Sequence, residues 1–331
     1  MKQTFALFSL FTLLACEKVL FEKDLATTDP LVNFEYLWTE VDKKYSYFQL
    51  KNIDWKTVYD TLKPKLSSQS TEFELFDVLS QMLNTLRDDH TNLIAPFNVS
   101  RYNVALRHPE NFNRRTVLEH YIPNAWSTGP FLHDFLADGA VGYIRYSSFL
   151  NDFTNAQWDF VLQRYRDTKG LIIDLRANGG GNIFNVTKLL SRFTEEKTLA
   201  GYTITRNGPA HDQFGPKENF FLTPSGKVQY LKPVMILIDR GSYSATTFCA
   251  VLTLALPNVT LVGDTTGGGG GLPNGGQLPN GWRYRFSISQ LLDLKGNNYA
   301  EDGVPPQIQV AFDWSDLTTD EIIQRALQEL L

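Results

Sequence analysis

Four short apolar runs, at 141–146, 171–175, 234–238 and 259–262, alternate with stretches of helical period at 155–166, 183–193 and 244–256. Runs of this length suit strands buried within a sheet, and helices spaced between them suit crossovers, so the pattern predicts a mostly parallel α/β sheet. In such sheets the reactive groups collect in loops at the carboxyl ends of strands. The informative loops should follow Leu175, Ile238 and Val262.

The preceding residues read differently. Asp29 and Pro30 open a helical pattern, Asp54 can cap a second helix that Pro64 interrupts or ends, and Thr71-Glu72-Phe73-Glu74 is a capping-box spelling. The third helix should turn Phe73, Phe76, Leu79, Leu83 and Leu86 to one side. A small helical bundle over 28–91 is expected, its aromatics serving as core, then a connecting segment over 92–138 of strands and loops, and the α/β unit over 139–331.

The first sixteen residues, MKQTFALFSLFTLLAC, are an export leader by pattern: Lys2, then an apolar stretch too short to span a bilayer permanently. Leu13-Leu14-Ala15-Cys16 resembles the lipobox of bacterial lipoproteins, in which the cysteine is lipidated; an ordinary cleaved leader is the alternative. The expected address is therefore the cell envelope, lipid-anchored. Cys249 should then be a buried small hydrophobe. With two cysteines in 331 residues, a disulfide framework or a cysteine-rich zinc site is excluded, and neither a metal nor a cofactor is expected. A net charge of −5 offers no basic footprint for nucleic acid.

The first loop, Asp174-Leu175-Arg176-Ala177-Asn178-Gly179-Gly180-Gly181-Asn182, runs from strand through three glycines into a helix. Free N–H groups at such a turn bind anions, and lacking a phosphate-loop spelling it suits an oxyanion hole. The second, Asp239-Arg240-Gly241-Ser242-Tyr243-Ser244-Ala245-Thr246, holds serines at a strand-to-helix corner. A hydroxyl there is either an exposed nucleophile, with the Ala245 N–H beside a forming oxyanion, or merely a helix cap. The third, 265–281, is rich in glycine and reads as a loose segment, either a flexible hairpin or linker or one lining or closing over a substrate. A nucleophilic serine needs a base, and His90, His108, His120, His133 and His211 are the histidine candidates, with the lysines as the other class.

In their joint order these segments resemble the tail-specific (C-terminal processing) serine peptidase family, including its tricorn-core-like branch. The landmarks are Leu86-Arg87-Asp88-Asp89-His90-Thr91, Gly142-Tyr143-Ile144, the Asp-Leu-Arg-Ala-Asn-Gly-Gly-Gly turn, Gly-Ser-Tyr-Ser-Ala-Thr, Val262-Gly263-Asp264-Thr265 and Glu301-Asp302-Gly303-Val304-Pro305-Pro306. The resemblance implies a crotonase/ClpP-like sheet, with Ser244 as nucleophile. One branch activates its serine with a downstream lysine in a Phe-Gly-Lys-Gly-like stretch. Here that stretch is Thr266-Gly267-Gly268-Gly269-Gly270, and Lys295 is the only lysine after Ser244. The histidine-using version is therefore implied, with His90 as general base, Glu301 (Asp302 its rival) orienting it directly or through another side chain or water, and an oxyanion hole at Gly180, or a neighbouring glycine, and Ala245. Only 48 residues separate Thr91 from Ala140, too few for the PDZ domain that many relatives carry there.

The expectation is an exported serine-type endopeptidase acting on peptides or unfolded protein. The alternatives are a non-catalytic envelope lipoprotein that binds peptides or a hydrophobic ligand, and a crotonase-like enzyme, for whose acyl-CoA no basic cluster is evident.

Overall fold

The structure, a computed structural model, describes residues 25–298 and 301–331; the expected leader and Cys16 lie outside the described residues. Three helices come first: α1 (Pro30–Lys44), α2 (Trp55–Leu62) and α3 (Glu72–Asn84). Asp29 and Asp54 accept first-turn N–H groups, and Thr71 and Glu74 close a reciprocal capping box, as their spelling requires. α3 buries Leu75, Phe76, Val78, Leu79, Met82 and Leu83, but Phe73 stands 61% exposed. It falls in the first turn, at the margin of the packed face, where its ring meets Phe97.

β1 (Asn92–Ile94) follows, then β2 (Trp126–Thr128), β3 (Phe131–Leu136) and β4 (Val141–Tyr146), the last three successively antiparallel. α4 (Asn155–Arg164) crosses to β5 (Gly170–Asp174). α5 (Ile183–Leu190) leads to an antiparallel pair, β6 (Thr198–Thr205) and β7 (Glu218–Leu222). The parallel run resumes with β8 (Val234–Ile238), α6 (Ala245–Thr253) and β9 (Val259–Gly263). A hairpin of β10 (Pro273–Gln277) and β11 (Arg283–Ser287), then β12 (Ser289–Leu292), β13 (Ile308–Gln309) and α7 (Glu321–Leu330), complete the chain.

The main sheet has the order β13-β9-β8-β5-β4-β3-β2, parallel from β13 to β4. Every residue of β4, β5 and β8 is buried, which is why these strands are mostly apolar rather than alternating, the exceptions Arg145 and Asp174 being paired with each other. One face packs on α4, α5 and α6 through residues such as Trp158, Leu189 and Cys249; the other packs on α7 through Ile322, Ile323 and Ala326.

Two features of this topology build the site. Asp174 of β5 pairs with Leu237 of β8, so the turns after the two strands emerge side by side, and the Tyr243 N–H donates to the Asn178 carbonyl at 3.0 Å. Meanwhile β1 pairs with β11 in a separate sheet, Leu93 opposite Tyr284. That long-range pairing carries the end of α3 to the same edge, and the helical bundle packs on Trp282, Tyr284 and Phe286.

Candidate active site

Ser244 sits at the corner between β8 and α6 with φ 57° and ψ −114°. A serine at positive φ is strained, and such strain persists only where surrounding contacts enforce it. Here its N–H donates to the Gly268 carbonyl at 3.0 Å and its carbonyl accepts from the Phe248 N–H at 2.9 Å. Its side chain makes no capping bond, which removes the helix-cap reading. Ser242, by contrast, is buried: its Oγ donates to the Leu175 carbonyl at 2.8 Å and accepts from the Asp239 N–H at 3.1 Å, bracing one turn against the other.

His90 brings its Nε2 within 2.8 Å of the Ser244 Oγ, across 154 residues of sequence. The ring is buried, although loop position alone suggests a solvated histidine. Its backbone N–H donates to Asp88 Oδ1 at 2.7 Å, and the Tyr243 ring meets the imidazole edge-on at 5.1 Å. The Tyr243 hydroxyl donates to Asp88 Oδ1 at 3.1 Å and the Ser287 hydroxyl to Asp88 Oδ2 at 2.8 Å. Burial opposes ionisation of Asp88, yet neighbouring Lys51 and His90 hold its carboxyl below the ordinary range. Burial, aided by the Arg285 charge, pulls His90 below the ordinary histidine value of 6.5, against the Asp88 carboxylate. Nδ1 makes no hydrogen bond, although the Gly271 carbonyl lies close enough to favour the protonated ring.

Of the two expected oxyanion donors, Ala245 opens α6, where its N–H has no intrahelical acceptor. Gly180 does not fit the role through its own N–H, which turns back to Asn178 Oδ1 at 3.0 Å. Its contribution is close approach: at φ +94°, a Cβ there would lie 2.6 Å from the Tyr243 carbonyl oxygen and 2.8 Å from both the Ala245 nitrogen and the Ser244 Cβ. A neighbouring glycine of the same turn is left to supply the second donor. Asp174 and Arg176 lie outside this chemistry. Arg176 is fully buried and bonded to Asp174 and to Asp320, the cap of α7, locking the turn to the far face of the sheet.

The structure does not bond Glu301 to His90. Its Oε1 accepts from the Lys51 ammonium at 2.6 Å, with both side chains closed off from solvent. Burial and the Asp88 charge push Glu301 up to about 8, against the pull of Lys51. Nor is the glycine-rich stretch a loose lid: residues 266–271 are buried, threaded between the Ser244 turn and the chain at Glu301. A Cβ on Gly268 would stand 2.0 Å from the Glu301 carbonyl oxygen. Gly269, Gly270 and Gly271 border the cleft.

That cleft encloses about 770 Å³ around Ser244 and His90. Leu150, Ile183 and Phe248 give it an apolar wall near the 179–181 turn, and Arg101 and Arg285 line the side nearer β1. Asp88, Tyr243 and Lys51 are the residues that motif reading passed over. Asp88 and Tyr243 lie inside the quoted motifs, and their polarity beside the expected base and nucleophile is the signal that could have found them. Lys51 has no such signal. Among the other histidines, His133 is enclosed between Thr128 and Tyr165, and His211 meets Asp42, both in structural pairs. Among the described residues, no three metal-ligating side chains gather, and no helix is long and apolar enough to cross a membrane.

Residues 140–310 match peptidase family S41. The chain belongs to that family. Residues 27–84 of this S41 chain match the tricorn protease C1 domain, which covers most of the helical bundle. A solved structure described as a putative peptidase from Parabacteroides merdae ATCC 43184 is 37% identical, with a TM-score of 0.88, covering 92% of this chain and 98% of that one. Mature CPAF in complex with lactacystin shares the fold at 13% identity and a TM-score of 0.69, covering 91% of this chain and 97% of that one. The carboxy-terminal processing protease CtpB of Bacillus subtilis is 28% identical over 52% of this chain and 34% of its own length. The S41 chain thus spans about a third of the length of the curated relatives it matches.

Proposed function

We propose that this protein is a serine-type endopeptidase in which Ser244 is the nucleophile and His90 the general base. The observation that carries the reading is the 2.8 Å contact between His90 Nε2 and the Oγ of a serine held at strained φ in an open cleft. His90 Nε2 takes the Oγ proton as Oγ adds to the scissile carbonyl, whose oxygen becomes an oxyanion beside the Ala245 N–H and the 179–181 turn. The imidazolium then protonates the leaving amine, which frees the first product. Water, deprotonated by the same nitrogen, releases the acyl group and restores the hydroxyl. Asp88 and Tyr243 keep the base in place throughout. Peptides and unfolded segments are the substrates that an open, mostly apolar-walled cleft accommodates.

The base must be neutral to accept a proton, so activity falls as pH drops through its pKa. Because burial favours the neutral ring, kcat/KM should reach half its plateau at a pH below 6.5. A pH–rate profile on an unfolded protein substrate tests this; an acid limb centred above 7 contradicts it.

The leader and Leu13-Leu14-Ala15-Cys16 support an envelope location with a lipid anchor on Cys16. Metabolic labelling with a fatty-acid probe should mark the wild type and be lost in Cys16→Ser; equal labelling of both overturns the anchor.

A further inference from the structure

We infer that Lys51 is a positioning residue that holds the base-bearing and nucleophile-bearing segments in register; the inference rests on the Ser244–His90 reading above. The Lys51 ammonium donates to three acceptors: the Leu86 carbonyl at 2.9 Å, the Arg87 carbonyl at 3.0 Å and Glu301 Oε1 at 2.6 Å. The first two belong to the turn that leaves α3 and reaches His90 three residues later. That turn is strained in its own right, with Arg87 at φ 50°. The Arg87 side chain returns to the Lys51 carbonyl at 2.5 Å, closing the clasp.

The third acceptor points the other way. The Glu301 carbonyl accepts from the Gly269 N–H at 3.3 Å, and the adjacent Gly268 carbonyl accepts the Ser244 N–H at 3.0 Å. One cation from the helical bundle therefore ties the segment carrying the imidazole to the ribbon that backs the hydroxyl. The same ammonium also helps hold Asp88 ionised, and Asp88 fixes the His90 backbone. A buried lysine–carboxyl contact is a poor device for stability, because desolvation consumes most of what it gains electrostatically. Its three directed hydrogen bonds are a good device for fixing geometry, and a misplacement of about 1 Å between reacting groups can cost a hundredfold in rate. Glu301 thus acts on the site through Lys51 and its own main chain.

The test compares wild type, Lys51→Met and the double variant Lys51→Met/Glu301→Leu, which replaces the pair with apolar groups of similar size. Thermal melting, the rate of Ser244 labelling by a fluorophosphonate, and kcat and KM are measured for each. Lys51→Met is expected to melt lower, since it strands Glu301. The double variant is expected to recover only part of the lost melting temperature, because the Leu86 and Arg87 carbonyls still lack their donor, while labelling and kcat stay at least about tenfold down with KM little changed. A double variant that labels at the wild-type rate, or that loses only KM, overturns the inference. So does one that cannot fold, since the pair is then a requirement of the fold itself. Failure of the wild type to label at Ser244 contradicts the nucleophile assignment instead, and this inference falls with it.

Discussion

Ser244→Ala is expected to lower hydrolysis of an unfolded protein by about ten-thousand-fold or more, with little change in melting temperature. The Oγ meets the His90 Nε2 and forms no helix cap, so its removal takes away the attacking atom and little that holds the chain together. The residue lines an open cleft, where water can satisfy the freed imidazole nitrogen. Turnover of a fluorogenic peptide, read beside a thermal melt, separates loss of chemistry from loss of fold. Retained turnover in a folded variant removes Ser244 from the mechanism.

Gly180→Ala should be nearly as damaging by a different route. The new Cβ would stand 2.6 Å from the Tyr243 carbonyl oxygen and 2.8 Å from the Ala245 nitrogen, both backbone atoms of the nucleophile turn. Neither can swing aside as a side-chain tip would, and the backbone at φ +94° is itself unfavourable for alanine. The turn must move, taking Ser244 with it, so a loss of about 2–4 kcal/mol in stability and at least a hundredfold in kcat is expected. Gly179→Ala is the control for stability, since a Cβ there meets no protein atom within 4 Å. Denaturant titration and kcat on both variants check this. Equal, small effects at the two positions show that the turns are not closely packed.

The sheet was legible because both-face burial leaves a local mark: β4, β5, β8 and β9 appear as apolar runs that a period count can find. The caps at Asp54 and Thr71 were equally plain, each needing only a neighbour three residues away. What stayed hidden depends on distant partners. His90 reaches Ser244 because β1 pairs with β11, and nothing within the window around either residue encodes that pairing. Lys51 looks like any surface lysine until α3 and the 301 segment close around it.

The glycines misled for a related reason. Glycine permits both looseness and close approach, and composition cannot separate the two uses; at Gly268 the Glu301 carbonyl requires the second. Resemblance gave Glu301 a supporting role, directly or through another side chain or water; which side chain stands between was not legible, and the structure turns the carboxyl to Lys51. The Gly180 N–H, expected at the oxyanion, is claimed by Asn178 two residues earlier, a local side-chain bond of the kind asparagine makes in turns.

The central claim is that the imidazole of His90 makes the Ser244 hydroxyl reactive. Its most direct measurement is the rate and site of fluorophosphonate attachment, mapped by peptide mass spectrometry in the wild type and in His90→Gln. The expected result is a single adduct on Ser244 in the wild type, slowed at least about a hundredfold in His90→Gln while the variant melts as a folded protein. An adduct on another residue, or equal rates in the two proteins, contradicts it.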